Sequence, residues 1–253
     1  MDTPSLPDRA AARARMVETQ IARRGIRGER LLQALREVPR ERFVDADLAE
    51  FAYDDVPLPI GEGQTISQPY MVAWMIEAAA VGEHDAVLEI GAGSGYAAAV
   101  LGRVARRVHA IERLEGLAQR AHQRLDALGV RNVQLRTGDG TTGWAEAGPF
   151  DAILVAAAGP EIPAPLKAQL ARGGRLVMPL DLGAAGERQQ LSKVVRTGDD
   201  TYDQEILGAV AFVPLIGRHG WAEDGPHSGN PISGCRPPYR RSRSSSRSAD
   251  PPR

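Results

Sequence analysis

Apolar residues recur with helical spacing in the first part of the chain. Ala10–Leu35 carries a loose stripe of this kind, interrupted by "RRGIRG". We expect the helical pattern to end before Pro39, because the residue that precedes a proline avoids the α-helical region. Pro57 and Pro59 exclude a central β-strand from the next segment, which predicts irregular structure there. A further helix is predicted from Pro69 to about Ala80, since proline is tolerated near the first turn.

The spacing then changes to short apolar runs that alternate with helical segments. The runs are "AVLEI", "RVHAIE", "NVQLRTGD", "FDAILVAA" and "GRLVMPL". Runs rich in Val, Ile and Leu between helices are typical of a parallel sheet that helices cover on both faces. Two more apolar runs flank the turn "TGDD" without a helix between them, so they predict an antiparallel pair. The pattern therefore predicts an α/β fold with a mostly parallel, seven-stranded sheet.

Composition supports one sizeable domain with appendages. The chain has 253 residues, of which 43% are hydrophobic and 25% are charged, a balance that permits a substantial core. After about Arg218 the sequence becomes rich in Gly, Pro, Ser and Arg, which predicts a disordered tail. The predicted division is an N-terminal helical segment, 1–60, that packs on the core, an α/β domain, 61–218, and the tail, 219–253.

Charge and cysteine content exclude several classes of protein. The formal net charge of -1 argues against a polycation that binds nucleic acid. No apolar run reaches the roughly 18 residues that span a bilayer, and the N-terminus lacks the apolar region of a secretory signal. Cys235 is the one cysteine, so an intrachain disulfide is impossible, and a cytoplasmic location is predicted.

A glycine-rich loop follows the first strand of the alternation. In "VLEIGAGSGY", Gly91, Gly93 and Gly95 lie between a strand and a helix, where glycine permits positive φ and close approach of a ligand. The helix start adds free N–H groups and a positive dipole end. Tyr96 stands where a strict dinucleotide fingerprint requires its third glycine, so that fingerprint fails. A tight turn without a ligand remains the alternative.

Three acidic residues lie at the ends of successive predicted strands. They are Glu89, Glu112 in "HAIE" and Asp139 in "GDG", all at the sheet edge where such folds bind ligands. Glu112 could accept hydrogen bonds from both hydroxyls of a ribose, and Asp139 could accept one from an exocyclic amine. Each acid alone is more often a solvated loop carboxylate. Together they favour a nucleoside that carries an amino acid group and no pyrophosphate, and S-adenosylmethionine is such a ligand.

Other reactive side chains offer no competing chemistry. The histidines, His84, His109, His122, His219 and His227, show no metal-ligand spacing, so no metal is predicted. His109 and His122 are expected to be structural or surface residues. Cys235 lies in the predicted tail without a nearby partner, which makes it a poor candidate nucleophile. The sequence has no G-x-S-x-G elbow.

A turn-like segment, "GQTISQP", holds more polar side chains than a turn requires. With "VLEIGAGSGY", "IERLEGL", "PFDAILVAAAGPEIP" and "GGRLVMPL" in the same order, it resembles the protein-L-isoaspartate O-methyltransferase family from about Met16 to Leu215. The glycine loop is common to all class I methyltransferases, whereas "GQTISQP" and "AAGPEIP" are specific to this family. The resemblance implies a Rossmann-like class I methyltransferase fold with extra N-terminal helices. It also implies S-adenosyl-L-methionine as cofactor and isoaspartyl proteins and peptides as substrates.

The resemblance also implies residue roles. Ser67 matches the serine to which the family's catalysis is assigned, and Gln64, Thr65 and Gly140 are expected to contact the cofactor. An N-terminal cap on the following helix is the alternative role for Ser67.

The substrate group implied here is a carboxylate, which is already ionised at pH 7. No general base is required, only in-line approach to the methyl carbon and removal of water from the carboxylate. Backbone groups from Ala157, Ala158 and Gly159 are expected to help hold the substrate, because their loop follows the fourth strand at the same edge of the sheet. A monomer is predicted, without a specific nucleic-acid or membrane partner.

Three alternatives remain at this point. The first is a class I methyltransferase that acts on a small molecule or another carboxylate, against which "GQTISQP" argues. The second is a nucleotide or nucleic-acid binder that uses the Arg/Ser tail, whose contacts would be nonspecific and sensitive to salt. The third is an NAD oxidoreductase, which lacks support from the glycine pattern.

Overall fold

The computed structural model describes residues 8–181 and 189–224. Its strands are β1 Leu58–Gly61, β2 Gln64–Ile66, β3 Ala86–Ile90, β4 Arg107–Glu112, β5 Val133–Thr137, β6 Phe150–Val155, β7 Leu170–Leu180, β8 Gln189–Arg196 and β9 Tyr202–Val210. The α-helices are α1 Arg9–Met16, α2 Glu29–Glu37, α3 Pro69–Ala78, α4 Tyr96–Val104, α5 Glu115–Ala127 and α6 Ala164–Ala168.

Seven strands form one sheet in the order β5-β4-β3-β6-β7-β8-β9. The pairs β3·β4, β3·β6, β4·β5 and β6·β7 are parallel. The last two strands add antiparallel pairs, as their helix-free connection predicts. Every residue of β3 is buried, which agrees with the continuous apolar run of a strand covered on both faces. The predicted α/β class is therefore confirmed.

Two hydrophobic clusters occupy the opposite faces of the sheet. Along β3, Val87 belongs to the first cluster, and its neighbours Leu88 and Ile90 belong to the second. The first cluster contains the apolar sides of α1 to α5, including Met16 and Leu101. The second includes Leu166 of α6. The N-terminal helices thus share a core with the sheet.

The long N-terminal helical pattern is divided in the structure. α1 continues into a π-helical turn, Val17–Ile21, and a 3-10 turn, Ala22–Arg24. Gly25 then takes a φ of 103°, a left-handed conformation that suits glycine and ends the run. α2 ends at Glu37, before the Val38-Pro39 pair, where the sequence predicts its end.

A two-stranded hairpin replaces the irregular and turn-like segments expected before α3. β1 and β2 pair antiparallel outside the main sheet, and Pro59 lies opposite Thr65. The exclusion of a central strand is correct, because a proline is tolerated in a marginal hairpin of this kind. The prediction that Gln64 and Thr65 lie in a turn is wrong, since both belong to β2.

Residues at the start of the predicted tail contact the segments that follow β5 and β6. The backbone N–H of His219 donates to Thr141 Oγ1 at 3.0 Å, and the indole Nε1 of Trp221 donates to the Ala158 carbonyl at 3.0 Å. The ordered chain thus continues past Arg218 at least to Asp224. The rest of the predicted tail, 225–253, which contains Cys235, lies outside the described residues. Within the described ranges, no helix is long and apolar enough to cross a membrane.

Candidate functional site

A cavity of about 380 Å³ opens at the carboxyl ends of β3, β4 and β6. This volume lies within the range of small-molecule sites. Many of the residues singled out in the sequence line it. They include Gln64, Thr65, Ser67, Glu89, Gly91 and Gly93. The parallel strands bring the glycine loop to this edge, and the β1–β2 hairpin brings the polar "GQTISQP" segment against it.

The glycine loop needs its glycines for conformation and for space. The φ values of Gly91, Gly93 and Gly95 are 84°, 55° and 89°. Residues that carry a side chain rarely adopt this left-handed backbone conformation. A Cβ on Gly95 would lie 3.1 Å from the Cβ of Ala121. Gly91 and Gly93 form part of the cavity wall, whereas Gly95 is the N-cap of α4 and packs against α5. The structure therefore gives Gly95 a packing role in this loop.

Glu112 fixes the glycine loop from the next strand. Its carboxylate accepts hydrogen bonds from the N–H of Gly93 at 2.8 Å and from the N–H of Leu114 at 3.0 Å, one on each oxygen. Each carboxylate oxygen has a second lone-pair site, and the side chain lines the cavity. Glu112 can therefore hold the loop and still accept hydrogen bonds from the hydroxyls of a ligand.

Glu89 is a carboxyl group without a protein partner on one oxygen. It is 2% exposed, and its Oε2 forms no hydrogen bond among the described residues. Burial, reinforced by the charge of Glu112, raises the pKa of Glu89 to about 8. A buried polar atom without a partner is costly, and this one belongs to a side chain of the cavity wall. The carboxyl is suited to a ligand that brings a hydrogen-bond donor or a positive charge.

Both carboxylate oxygens of Asp139 accept hydrogen bonds from the protein, which the sequence does not reveal. Its Oδ1 accepts from the N–H and Oγ1 of Thr141, at 2.8 and 2.6 Å, and its Oδ2 accepts from the N–H of Arg218 at 2.8 Å. Burial would raise the pKa of Asp139, but these hydrogen bonds outweigh it and lower the pKa. The neighbouring Gly140 is part of the cavity wall, and Asp139 is not. Asp139 therefore orients the loop that carries Gly140.

The loop after β6 contributes less to the cavity than the sequence suggests. Ala157 lines the cavity, whereas Ala158 and Gly159 do not. The N–H of Ala158 donates instead to the Val213 carbonyl, and its carbonyl accepts from the N–H of Leu215. The N–H of Gly159 donates to the Pro179 carbonyl, and its carbonyl accepts from the N–H of Asp181. These backbone groups are occupied, so they are not free to hold a substrate. The expectation of backbone contacts is retained for Ala157 alone.

Ser67 lies between β2 and α3 and lines the cavity. The N-cap of α3 is Gln68, and no side chain caps this helix. The alternative role of Ser67 as an N-terminal cap is therefore wrong. The Ser67 carbonyl accepts a hydrogen bond of 2.7 Å from Nη2 of Arg40, which fixes the backbone without using the hydroxyl.

Two parts of the site were missed in the sequence. Tyr96 is buried and lines the cavity, and its hydroxyl forms no well-aligned hydrogen bond among the described residues. Leu215, Ile216 and Glu223 also form part of the wall, and Glu223 pairs with Arg113 at 2.9 Å. The departure from the dinucleotide fingerprint drew attention to Tyr96. No sequence pattern around Leu215, Ile216 and Glu223 indicates that these residues reach the cavity.

The described residues give no support for metal-based chemistry. In the ranges that the structure describes, no group of His, Cys, Asp and Glu side chains is placed to hold a metal ion. His109 packs edge-on against Trp144, with 5.0 Å between ring centroids, and burial lowers its pKa. This contact agrees with the structural role expected for His109.

Comparisons with known proteins place this site in one family. The family model "Protein-L-isoaspartate(D-aspartate) O-methyltransferase (PCMT)" matches residues 11–220. Protein-L-isoaspartate O-methyltransferase 2 of Pelobacter propionicus is 53% identical over 221 residues, which cover 87% of this chain and 97% of the relative. Protein-L-isoaspartate O-methyltransferase of Methylorubrum extorquens is 57% identical over 218 residues, covering 86% and 94% of the two chains.

Solved structures give the same result. A protein-L-isoaspartate O-methyltransferase superposes with a TM-score of 0.76 at 28% identity, over 82% of this chain and 67% of that chain. A Plasmodium falciparum structure, described as a putative protein-L-isoaspartate O-methyltransferase in complex with S-adenosyl-L-homocysteine, shares the fold. Its TM-score is 0.70 at 24% identity, over 81% of this chain and 98% of that chain. The chain therefore belongs to the protein-L-isoaspartate O-methyltransferase family.

Proposed function

We propose that the protein transfers a methyl group from S-adenosyl-L-methionine to the free α-carboxylate of L-isoaspartyl residues in damaged proteins and peptides. The methyl ester then closes to a succinimide, whose hydrolysis partly restores aspartate. The observation that carries this proposal is that one cavity joins the family-specific "GQTISQP" segment to the glycine loop and Glu112. A methyltransferase for small carboxylates would not need the first of these elements.

The residues of the cavity suit the cofactor. Glu89 offers a buried carboxyl with a free oxygen, and Glu112 offers lone pairs beside the glycine loop. We assign Glu112 to the ribose hydroxyls, and we assign Gln64, Thr65 and Gly140 to further cofactor contacts. When bound, S-adenosyl-L-methionine would supply the methyl group from its positively charged sulfur, and S-adenosyl-L-homocysteine would be the product that is left. We assign Asp139 an indirect role, through the loop that it orients.

Binding of the cofactor should depend on pH through Glu89. A positively charged ligand favours the ionised carboxyl, so the complex holds fewer protons at Glu89 than the free protein, in which the pKa is about 8. The affinity for S-adenosyl-L-methionine should therefore rise from about pH 6 to about pH 8, by up to ~10-fold per pH unit, and then level off. Titration calorimetry at several pH values measures this slope. Glu89→Gln should flatten this pH dependence. An equal slope in that variant would exclude Glu89 as the group whose ionisation causes the pH dependence.

Ser67 is assigned to the substrate carboxylate. A carboxylate is ionised at pH 7, so the site needs to orient and dehydrate it, with no proton to remove. The hydroxyl of Ser67 can donate a hydrogen bond without adding a charge, and its backbone is held by Arg40. A lysine here would form a tight ion pair and reduce the reactivity of the carboxylate oxygen. Ala157 is the remaining candidate for a backbone contact with the substrate.

The product identifies the reaction. A peptide with one isoaspartyl linkage and no other modification is incubated with the protein and S-adenosyl-L-methionine and is followed by mass spectrometry. The expected product first gains one methyl group and later loses methanol as the succinimide forms. A stable methylated product, which does not lose methanol, would place the methyl group elsewhere and contradict the proposed site of transfer.

We also propose that the protein acts as a cytoplasmic monomer without a specific nucleic-acid partner. The domain division 1–60 and 61–218 is retained as a proposal, with residues 219–224 added to the catalytic domain because of their contacts with Thr141, Ala158 and Arg113.

Removal of the chain after Asp224 should leave methyl transfer unchanged. The contacts of Trp221 and Glu223 with the body of the protein remain in this truncated form. Activity on an isoaspartyl peptide and retention on immobilised RNA and DNA are compared with those of the full chain. Loss of activity in a folded truncated protein would give 225–253 a part in the reaction.

A further inference from the structure

Arg40 is a fully buried cation next to the cavity. Its side chain is 0% exposed. Nε donates to the Ala52 carbonyl at 2.8 Å, and Nη2 donates to the Ser67 carbonyl at 2.7 Å. Nη1 forms no well-aligned hydrogen bond among the described residues, and the Tyr96 side chain next to it favours the charged guanidinium. Arg40 thus directs two donors to neutral carbonyls and its third nitrogen towards Tyr96.

The charge of Arg40 has no carboxylate counterpart in contact with it. Arg40 belongs to none of the ion pairs closer than 4.0 Å within residues 8–181 and 189–224, although the charge of Asp55 favours its charged form from a longer distance. Burial lowers the pKa of Arg40 to about 10, so the guanidinium remains charged at neutral pH. A buried charge without a close ion pair is costly to the fold. The question is therefore what this charge does beside the cavity.

Tyr96 connects this charge to the cavity. The Cζ atom of Arg40 lies 4.8 Å from the centroid of the Tyr96 ring. Tyr96 is 1% exposed and lines the cavity, and its hydroxyl forms no well-aligned hydrogen bond but interacts with the Arg40 guanidinium. Arg40 itself is not among the lining residues. It therefore lies behind the wall that Ser67 and Tyr96 form.

We infer that Arg40 is a positioning residue for the isoaspartyl carboxylate. Its hydrogen bond fixes the backbone of Ser67, and its buried charge behind the Tyr96 ring makes the end of the cavity beside Ser67 and Tyr96 attractive to an anion. This inference rests on the proposed function, because it assigns the anion to the substrate carboxylate.

The position behind the wall suits the chemistry. Charges interact over longer distances in a low-dielectric interior than in water, so Arg40 can attract a carboxylate without touching it. A direct ion pair would instead withdraw the electron pair that forms the new bond to the methyl carbon. The arrangement thus provides attraction for the anion and leaves its oxygen free to react.

The test separates this role from a structural one. Arg40→Met removes the charge and both donors, Arg40→Lys keeps the charge, and Arg42→Met is the matched control. Arg42 lies in the same 3-10 turn, Arg40–Phe43, but is exposed. Steady-state rates on an isoaspartyl peptide at saturating cofactor, the Kd of S-adenosyl-L-homocysteine and the Tm are measured for each variant.

Arg40→Met should lower kcat/KM for the peptide about 30-fold, mainly through KM, and Arg40→Lys should recover most of this loss. Both variants should keep the Kd of S-adenosyl-L-homocysteine within about twofold of the unmodified protein, as should Arg42→Met. Equal losses in kcat/KM and cofactor affinity, or no recovery with lysine, would overturn the inference.

Arg40→Lys and the unmodified protein give two further outcomes of this test. If Arg40→Met does not fold, Arg40→Lys carries the test. It should lose about threefold in kcat/KM with unchanged cofactor affinity, because one ammonium cannot serve both carbonyls as the guanidinium fork does. An unmodified protein that fails to methylate any isoaspartyl peptide would instead contradict the proposed function.

Discussion

Ser67→Ala should lower kcat for an isoaspartyl peptide about 100-fold, because it removes the hydrogen-bond donor that we assign to the substrate carboxylate. The backbone of Ser67 is held through its carbonyl by Arg40, and the hydroxyl caps no helix, so the fold should be preserved. The Kd of S-adenosyl-L-homocysteine should change by less than about threefold. Steady-state kinetics and titration calorimetry on the same preparation measure the two effects.

Two variants serve as controls for Ser67→Ala. Ser67→Thr keeps a hydroxyl at the same position and should retain part of the activity. Thr201→Ala removes an exposed hydroxyl from the connection between β8 and β9, and it should behave like the unmodified protein. If Ser67→Ala lowers turnover and cofactor affinity in equal proportion, Ser67 does not act on the substrate carboxylate.

Glu112→Ala should weaken cofactor binding about 100-fold. The substitution removes the charged carboxylate that we assign to the ribose hydroxyls of the cofactor. A hydrogen bond to a charged group contributes about 1.5–3 kcal/mol. It also leaves the N–H groups of Gly93 and Leu114 without their acceptor, which loosens the glycine loop. Titration calorimetry with S-adenosyl-L-homocysteine measures the loss. Turnover at saturating cofactor should fall much less than affinity.

Glu115→Ala is the matched control for Glu112→Ala. Glu115 lies three residues further along the chain and is exposed at the start of α5, so its loss should leave the Kd unchanged. An unchanged Kd in Glu112→Ala itself would remove Glu112 from the cofactor site and leave it with a role in the loop alone.

Much of the fold follows from local patterns in the sequence. The apolar runs of β3 to β7 mark buried strands, because a parallel sheet covered on both faces requires them. Glu89 and Glu112 were found because a carboxylate at a strand end is visible in the chain itself. The hairpin that contains Pro59 was missed, since its pairing depends on a short contact between two weak strands.

The remaining differences arise from contacts between distant parts of the chain. Asp139 was assigned to the cofactor, but its carboxylate bonds to the backbone of Arg218, 79 residues away. Ala158 and Gly159 were assigned to the substrate, but their backbone groups bond to other segments. The pattern of residues around Arg40 gives no sign that it is buried while nearby Arg42 is exposed. Tertiary packing decides these roles.

The central claim is that this cavity methylates an isoaspartyl carboxylate and distinguishes it from an ordinary aspartyl residue. The most direct measurement uses methyl-labelled S-adenosyl-L-methionine and two peptides that differ only in one isoaspartyl or aspartyl linkage. Base-labile label on the isoaspartyl peptide alone is the expected result. Equal labelling of both peptides, or no label on either while the cofactor still binds, would contradict the claim.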